Sequence, residues 1–418
     1  MRILYINTTD LAGGAAVVMQ RLIRGLHQQY CTEHLLLVKD KRGDADTTKA
    51  VLTSKFEIYS EKIIDRISRK IGLLYQSFPF SSRRILAAAK AFRPDVINLH
   101  NTHGAYFATP LLEPLSKMAP IVWTLHDMWS FSANASHTFG NMSWKELKND
   151  ASLTKIPPSI GINTGAWLLR QKKKIYGQSA LSIVTPSKWL YDLAKQSPVF
   201  EGKTVHHVYN GIDPQVFFPA DKKAIKQKLN LDPDSPVIIF ISHFLTRNNP
   251  WKGGNDLLEI LARINRQTTK KITLLMLGEG THQDLAGLTN LNIVYTGYLR
   301  GEEAVRDRLQ AADLFIYPTR ADNLPNVLVE SIACGTPGIT FNIGGNAEII
   351  KHNYNGIIIP PFDFDAFAAE VIALLNDGNR RALLSANCAA HVQENFLQST
   401  MIREYYRIFE EAIRDKNG

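Results

Sequence analysis

The sequence has few of the features that mark secreted, membrane-spanning or metal-binding proteins. Its three cysteines, Cys31, Cys334 and Cys388, are odd in number, far apart and without the spacing of metal ligands. No run of about 20 uninterrupted apolar residues occurs. Met1 leads straight into a strand-like run, RILYIN, without the pattern of a signal peptide. These absences predict a cytoplasmic protein with reduced thiols and no metal site.

Positive charge is concentrated in the first half of the chain. Residues 1–205 contain 27 lysines and arginines against 15 acidic residues, a balance of +12. Residues 206–418 contain 21 against 24, a balance of −3. The charge does not predict nucleic-acid binding, because the sequence has no evident recognition helix and no aromatic RNA-binding motif.

Two basic clusters account for much of this charge. Between Lys62 and Arg93 the only acid is Asp65, and isoleucines recur at helical spacing, which indicates an amphipathic basic helix. Such a helix is either a solvated face over a packed core or a surface that attracts anionic lipid or a phosphorylated acceptor. The second cluster, Arg170 with Lys172 to Lys174, has the same two interpretations.

Strand and helix patterns alternate along the whole chain. Short apolar runs predict strands at 2–7, 33–38, 95–100, 120–125, 181–185, 205–209, 236–242, 271–277, 292–297, 313–318, 338–341 and 357–360. Helical patterns fall between many of them and also at 363–376 and 397–413, and the Pro-, Gly- and Asp-rich segment 210–236 predicts a domain junction. The alternation predicts an α/β fold of two Rossmann-like doubly wound parallel-sheet domains, whose ligands bind at the carboxyl ends of the strands.

The stretch RADNLPNVLVESIACGTPGIT, residues 320–340, carries the strongest candidate site. It follows a predicted strand, and Pro325 stands where a helix begins. A helix start near Asn326 would offer unpaired N–H groups and a positive dipole end to a diphosphate. Asp322 lies in the loop before this helix and Glu330 about one turn inside it, a span suited to holding both ends of a small ligand.

A second candidate is the cationic loop SHFLTRNNPWKGG, which follows the predicted strand at 236–242. Arg247 and Lys252 are five residues apart in it. They are either solvated loop residues or a planar fork and a point charge for one diphosphate. Convergence with the helix start at Asn326 favours the diphosphate, with the cations neutralising a leaving group.

The first half offers a glycine pair and a histidine at strand ends. Gly13 and Gly14 lie between the first strand and a helix, either as a tight turn or as a close approach of backbone to a phosphate or sugar. They do not form GxGxxG. His126 follows the strand PIVWTL and is therefore a candidate active-site residue, and His100, which ends the neighbouring strand run, is a weaker one.

Taken together, these motifs resemble the retaining GT-B glycosyltransferases of family 4. The resemblance spans the chain through AGGAA, TLHDMW, VTPSKWL, NGID, the R…WKGG loop, LGEG and DNLPNVLVESIACGTP, in that order. The family has two glutamates with seven residues between them, whereas here the first acid is Asp322, which shortens its reach to the sugar. The cysteine-rich segment that often follows HDMW in relatives is not present here.

The resemblance implies a role for each matching residue. His126, Asp322 and Glu330 would act in catalysis, with His126 over the transferred sugar, Asp322 on its hydroxyls and Glu330 on the nucleotide ribose. The donor-binding residues would be Gly13, Gly14, Arg247, Lys252, Gly297, Asn326, Val327 and Glu330, with Gly297 contacting the base through its backbone. No metal or cofactor is expected beyond the donor, a nucleoside-diphosphate sugar.

The resemblance also implies the domains and the reaction. Residues 1–209 would form an acceptor-side domain, 210–395 a nucleotide-sugar-binding domain, and 396–418 a C-terminal helix crossing back to the first domain. The expected reaction is sugar transfer with retention to a glycan or lipid-linked acceptor in surface polysaccharide synthesis. The positive charge of the N-terminal half separately predicts peripheral contact with an anionic membrane. The alternatives are another GT-B activity, such as a nucleotide-sugar epimerase, or a non-catalytic GT-B binding module.

Overall fold

The computed structural model describes residues 1–245, 251–281, 285, 287–299 and 301–417, and the chain divides into two units. Unit 1 comprises Met1–Tyr209 and Ser399–Gly418, and unit 2 comprises Asn210–Gln398. None of the described helices is long and apolar enough to span a membrane.

Strands and helices alternate in both units. The strands in the described residues are β1 (Arg2–Thr9), β2 (Glu33–Asp40), β3 (Thr48–Ala50), β4 (Val96–Leu99), β5 (Ile121–Thr124), β6 (Leu181–Thr185), β7 (Val205–His207), β8 (Val237–Phe244), β9 (Ile272–Glu279), β10 (Leu291–Gly297), β11 (Leu314–Tyr317), β12 (Gly338–Phe341) and β13 (Gly356–Ile359). The helices there are α1 (Gly14–Tyr30), α2 (Lys55–Lys70), α3 (Pro79–Phe92), α4 (Leu112–Met118), α5 (Gly165–Gly177), α6 (Lys188–Lys195), α7 (Lys222–Lys228), α8 (Gly254–Gln267), α9 (Glu302–Ala311), α10 (Asn326–Ala333), α11 (Asn346–Ile349), α12 (Phe364–Asn376), α13 (Gly378–Asn395) and α14 (Gln398–Asn417).

Each unit is built on one parallel sheet. The strand order is β3-β2-β1-β4-β5-β6-β7 in unit 1 and β10-β9-β8-β11-β12-β13 in unit 2. A strand that is buried on both faces, such as β11, reads as a continuous apolar run because helices cover both sides of the sheet. The prediction of two Rossmann-like doubly wound domains is therefore confirmed.

The order of the strands reverses direction once in each sheet. In unit 1 the reversal lies between β1 and β4, and in unit 2 it lies between β8 and β11. Loops that leave neighbouring strands there run to opposite faces, which opens a crevice at the carboxyl ends of the strands. These two switch points are where the fold favours a ligand site in each unit.

The C-terminal helix α14 completes the core of unit 1. Its apolar face packs in the same buried cluster as β1 and α1, through residues that include Tyr405 and Phe409. The Tyr405 hydroxyl also bonds Thr124 at the end of β5, at 3.0 Å. The last helix of the chain is therefore structurally part of the first unit.

Four features differ from the sequence prediction. The short edge strand β3 and the helix α13 were not predicted, because neither has a strong period of its own in the sequence. The basic stretch forms two helices, α2 and α3, rather than one. Three isoleucines of the predicted apolar face, Ile63, Ile67 and Ile71, are exposed.

Candidate functional site

In unit 2, two loops from the switch point are held against each other by their backbones. The carbonyl of Trp251 accepts from the backbone N–H groups of Arg320 and Ala321, at 2.9 and 3.1 Å. Gly253 has a φ of 65°, and a Cβ there would stand 1.9 Å from the carbonyl oxygen of Pro318. Only glycine allows this approach, which explains the glycine after Lys252.

Further contacts fix the loop that follows β11. Arg320 holds Asp256 of α8 with two hydrogen bonds, at 2.5 and 2.6 Å. On the other side, a Cβ on Gly344, whose φ is 58°, would stand 1.8 Å from the carbonyl oxygen of Asp322. The loop that carries Asp322 is thus fixed on two sides, so its carboxylate has a defined position.

Lys252, Tyr317 and Asp322 form a charged cluster between these loops. The Lys252 ammonium pairs with the Asp322 carboxylate and donates to the Tyr317 hydroxyl at 2.9 Å. The Tyr317 hydroxyl donates to the same carboxylate at 2.5 Å. The structure therefore brings together two residues that the sequence predicted, Lys252 and Asp322, and adds Tyr317, the last residue of β11.

The electrostatics of this cluster keep the Lys252 side chain protonated. Burial lowers the pKa of Lys252, but Asp322 and Tyr317 outweigh it, and the pKa is raised above its ordinary value. Burial and then the Asp322 charge raise the pKa of Tyr317, so its hydroxyl stays protonated. The ammonium can therefore meet an anionic ligand at any physiological pH.

The remaining candidates of unit 2 lie on α10, on β10 and in the cationic loop. Helix α10 begins at Asn326, after Pro325; Asn326 and Val327 are half-buried at its start, and Glu330 is buried one turn later. Gly297 ends β10 with a φ of 69°. Arg247 lies outside the described residues. The described residues contain no group of three or more His, Cys, Asp or Glu side chains placed to hold a metal ion.

In unit 1, His126 begins a buried chain of hydrogen bonds. Its Nε2 lies 2.9 Å from Nδ1 of His100, and His100 Nε2 lies 2.9 Å from Oδ1 of Asn98. The Asn98 amide nitrogen donates to the carbonyl of Val122 at 2.8 Å and to Thr124 at 3.2 Å. Strands β4 and β5 thus supply both histidines with fixed partners.

This chain assigns the protons on both rings. Because the carbonyl of Val122 fixes the orientation of Asn98, its Oδ1 must accept, and His100 Nε2 carries a hydrogen. His100 Nδ1 then accepts from Nε2–H of His126, which leaves Nδ1 of His126 as an acceptor. Burial lowers the pKa of His126 to about 4 and that of His100 well below its ordinary value. Both rings are therefore neutral near pH 7.

Asp127 pairs with a third histidine that the sequence did not single out. Its Oδ2 lies 2.7 Å from Nε2 of His103, and its Oδ1 accepts from the backbone N–H of Trp129 at 2.9 Å. Burial raises the pKa of Asp127, but His103 and the Trp129 amide lower it below its ordinary value. The carboxylate therefore stays ionised and fixes the loop that follows His126.

Lys172 holds the same loop from inside the protein. It is buried, and its ammonium donates to the carbonyls of Trp129 at 2.5 Å and Ser132 at 2.9 Å. Burial lowers its pKa to about 7, against an opposing effect of Asp127. Both interpretations of this residue as part of a basic surface are therefore wrong.

Gly13 and Gly14 begin the first helix of unit 1. Gly13 has a φ of 82° and precedes α1, and both glycines are exposed. A Cβ on Gly13 would meet no atom within 4 Å, so no neighbouring protein atom excludes a side chain at this position. The positive φ and the open surface in front of the helix start are compatible with close approach of a ligand.

Several residues of these sites were not found from the sequence. Tyr317 could have been found from its place at the carboxyl end of β11, and His103 from its place just after β4. Asn98 and Thr124 gave no signal, because their roles depend on the pairing of β4 with β5.

Comparisons with known proteins agree with this architecture. The sequence model of glycosyltransferase family 4 matches residues 12–216, and that of the glycosyl transferases group 1 matches residues 221–390. N-acetyl-alpha-D-glucosaminyl L-malate synthase of Bacillus anthracis is 28% identical over 220 residues, which are 52% of this chain and 56% of that protein. The chain thus spans about half the length of the curated relatives it matches.

Solved structures resemble the chain over nearly its whole length. HepE of Anabaena, in complex with UDP and glucose, has a TM-score of 0.69 at 17% identity and covers 98% of this chain and 100% of its own. WaaG, a glycosyltransferase involved in lipopolysaccharide biosynthesis, has a TM-score of 0.64 at 13% identity, with 96% and 98% covered. With both family models matched in sequence order and two Rossmann-like sheets, the chain belongs to the family 4-type GT-B glycosyltransferases.

Proposed function

We propose that this protein transfers a sugar from a nucleoside-diphosphate sugar to a glycan or lipid-linked oligosaccharide acceptor. The observation that carries the proposal is the cluster of Lys252, Tyr317 and Asp322 at the switch point of unit 2. A protonated ammonium suits a diphosphate, and a fixed carboxylate suits sugar hydroxyls. UDP is the first nucleotide to test, because HepE was solved with UDP.

The roles of the remaining candidates follow their chemistry. In unit 2, the backbone at Asn326 and Val327 would bind the diphosphate, Glu330 the ribose, and Gly297 the base through its backbone. In unit 1, Gly13 and Gly14 would let the donor approach the start of α1. His126, as a neutral imidazole at the end of β5, would lie over the transferred sugar near the reacting carbon.

Transfer would proceed with retention, at the same face of the sugar that the diphosphate leaves. The bond between the anomeric carbon and the phosphate oxygen breaks, the acceptor oxygen bonds to that carbon, and the acceptor proton passes to the leaving diphosphate. Lys252 would stabilise the charge that develops on the diphosphate, so the proposed reaction uses no metal ion or other cofactor.

The acceptor is proposed to belong to surface polysaccharide synthesis, at the cytoplasmic face of a membrane. The fold similarity to WaaG, which acts in lipopolysaccharide biosynthesis, supports this class. A small hydroxy acid is a second candidate, because a relative that is 28% identical is an N-acetyl-alpha-D-glucosaminyl L-malate synthase. The two classes differ in whether the product is bound to lipid.

The test is turnover of the full chain with UDP-glucose, UDP-N-acetylglucosamine and GDP-mannose, followed by proton NMR. Each donor is offered L-malate or a lipid-linked oligosaccharide fraction. A glycosidic product with the anomeric configuration of the donor is expected with one of these acceptors. An inverted product would contradict retention. Conversion of the donor sugar to an epimer without any acceptor would favour the epimerase, and binding without turnover would favour a non-catalytic module.

A further inference from the structure

Helix α2 exposes a row of apolar side chains and turns its acidic side chains toward the protein, the reverse of a helix that covers a core. Phe56, Tyr59, Ile63, Ile67 and Ile71, the residue that ends the helix, are between 44% and 70% exposed. Their spacing of three or four residues places them on one side of the helix, as a continuous apolar stripe. Scattered exposed apolar residues need no explanation, but a stripe of five does.

The acidic residues of α2 face the protein instead. Glu61 is buried, and it accepts from the backbone N–H of Ser81 at 2.7 Å, in the first turn of α3. Glu57 pairs with Arg84 at 3.0 Å, and the side chain of Glu57 is largely covered. A carboxylate at the start of a helix is favourable, so these contacts fix which face of α2 points inward.

Asp65 continues this inward row of acids. It pairs with Arg69 at 2.8 Å on the same helix, and its side chain is only 17% exposed. With the three carboxylates of α2 covered and paired, its exposed charges are positive: Lys55, Lys62, Arg66 and Lys70. At about 100° per residue they fall along one flank of the apolar stripe.

We infer that α2 is a membrane-docking helix, which lies flat on an anionic lipid surface with its apolar stripe among the acyl chains. The basic flank would meet the lipid headgroups, and the aliphatic stems of its lysines would cover apolar surface. A second copy fits the stripe less well, because the covered carboxylates of its own α2 would offer the basic flank no exposed acid. The inference rests on the proposed function only for the location of the acceptor, since lipid binding needs neither donor nor acceptor.

The test is co-sedimentation of the full chain with vesicles of phosphatidylglycerol and phosphatidylcholine, and with phosphatidylcholine alone. Binding is expected only where phosphatidylglycerol is present, and it should weaken with added salt. Ile63→Ser/Ile67→Ser should weaken it at least tenfold, roughly, from the lost apolar burial. Lys62→Gln/Lys70→Gln should weaken it about 30-fold.

Matched variants on unit 2 control for general loss of apolar surface or charge. Leu383→Ser removes an exposed leucine, and Lys223→Gln/Lys270→Gln removes two exposed lysines. Both should bind vesicles within about twofold of the wild type. The replaced side chains of α2 are exposed, so its variants should unfold at the wild-type temperature.

Three results would overturn the inference. One is equal binding to vesicles without phosphatidylglycerol. Another is vesicle binding by the Ile63→Ser/Ile67→Ser variant at the wild-type level. The third is self-association of the wild type in analytical ultracentrifugation that this variant abolishes, with no vesicle binding, which would make the stripe an interface between copies. Loss of sugar transfer with intact vesicle binding would count against the proposed function alone.

Discussion

Replacing Asp322 with asparagine should tighten the binding of a nucleoside diphosphate. The carboxylate and a bound diphosphate would both contact the Lys252 ammonium, so they compete for it and repel each other. At about 6 Å the repulsion between two unit charges is about 0.7 kcal/mol in water and about 3 kcal/mol at an effective dielectric constant of 20. Because Lys252 is about one-third exposed, an intermediate value of roughly 1.4 kcal/mol, or about tenfold, is expected.

The assay is isothermal titration calorimetry of UDP into the wild type, Asp322→Asn and Lys252→Ala. Lys252→Ala should weaken binding by about 10- to 100-fold, since it removes a hydrogen bond from a charged group. Asp365→Asn is the matched control: it removes an exposed carboxylate of unit 2 that pairs with Arg263. Weaker binding by Asp322→Asn would refute the competition and make the carboxylate the group that positions the ammonium.

Three further predictions follow from other parts of the two units. His126→Ala should lower turnover about 100-fold with the donor Kd nearly unchanged, and an equal loss in both would make His126 a binding or folding residue. Gly253→Ala should destabilise the protein by about 2 kcal/mol or more in urea unfolding, because its Cβ would overlap the Pro318 carbonyl, whereas Gly280→Ala, with positive φ but no neighbour within 4 Å, should cost less. Lys172→Met should lower the free energy of unfolding by about 3 kcal/mol. Because the pKa of Lys172 is about 7 in the folded protein and about 10.5 in the unfolded chain, the difference in unfolding free energy between wild type and variant should grow from pH 7 to about 10.5. A difference that does not change with pH would contradict the lowered pKa.

The sequence predicted the sheets well because a strand covered on both faces is a continuous apolar run. It also predicted that Lys252 and Asp322 lie near the same strand ends, since βα loops at a switch point converge. It could not predict that the two side chains pair with each other, nor that Tyr317 joins them. Such contacts depend on the backbone packing of two loops, which Gly253 and Gly344 make possible.

Charge and amphipathicity misled the sequence analysis in two places. Lys172 belongs to a run of basic residues, yet it is buried, because three carbonyls of the loop after His126 converge on its ammonium. Helix α2 has the expected period, but the period alone does not say which face points inward. The contacts of Glu61 with α3 decide that, and they join residues 20 apart in sequence.

The proton positions on the histidine pair could not be predicted from the sequence either. His100 and His126 were both noted as residues at strand ends, but their proton positions depend on Asn98 and Thr124. Those side chains meet because β4 and β5 pair with Asn98 opposite Val122. A sequence predicts strands more readily than it predicts register, so the neutral state of His126 needed the structure.

The most direct test of the central claim is calorimetric binding of UDP, GDP, ADP and CDP to the full chain and to Lys252→Ala. The claim that the switch point of unit 2 holds a nucleoside diphosphate predicts tight binding of one of the four, with UDP as the first expectation. It also predicts that this binding weakens at least tenfold, roughly, in Lys252→Ala. Equal affinity of the wild type and the variant, or no binding of any of the four, would contradict it.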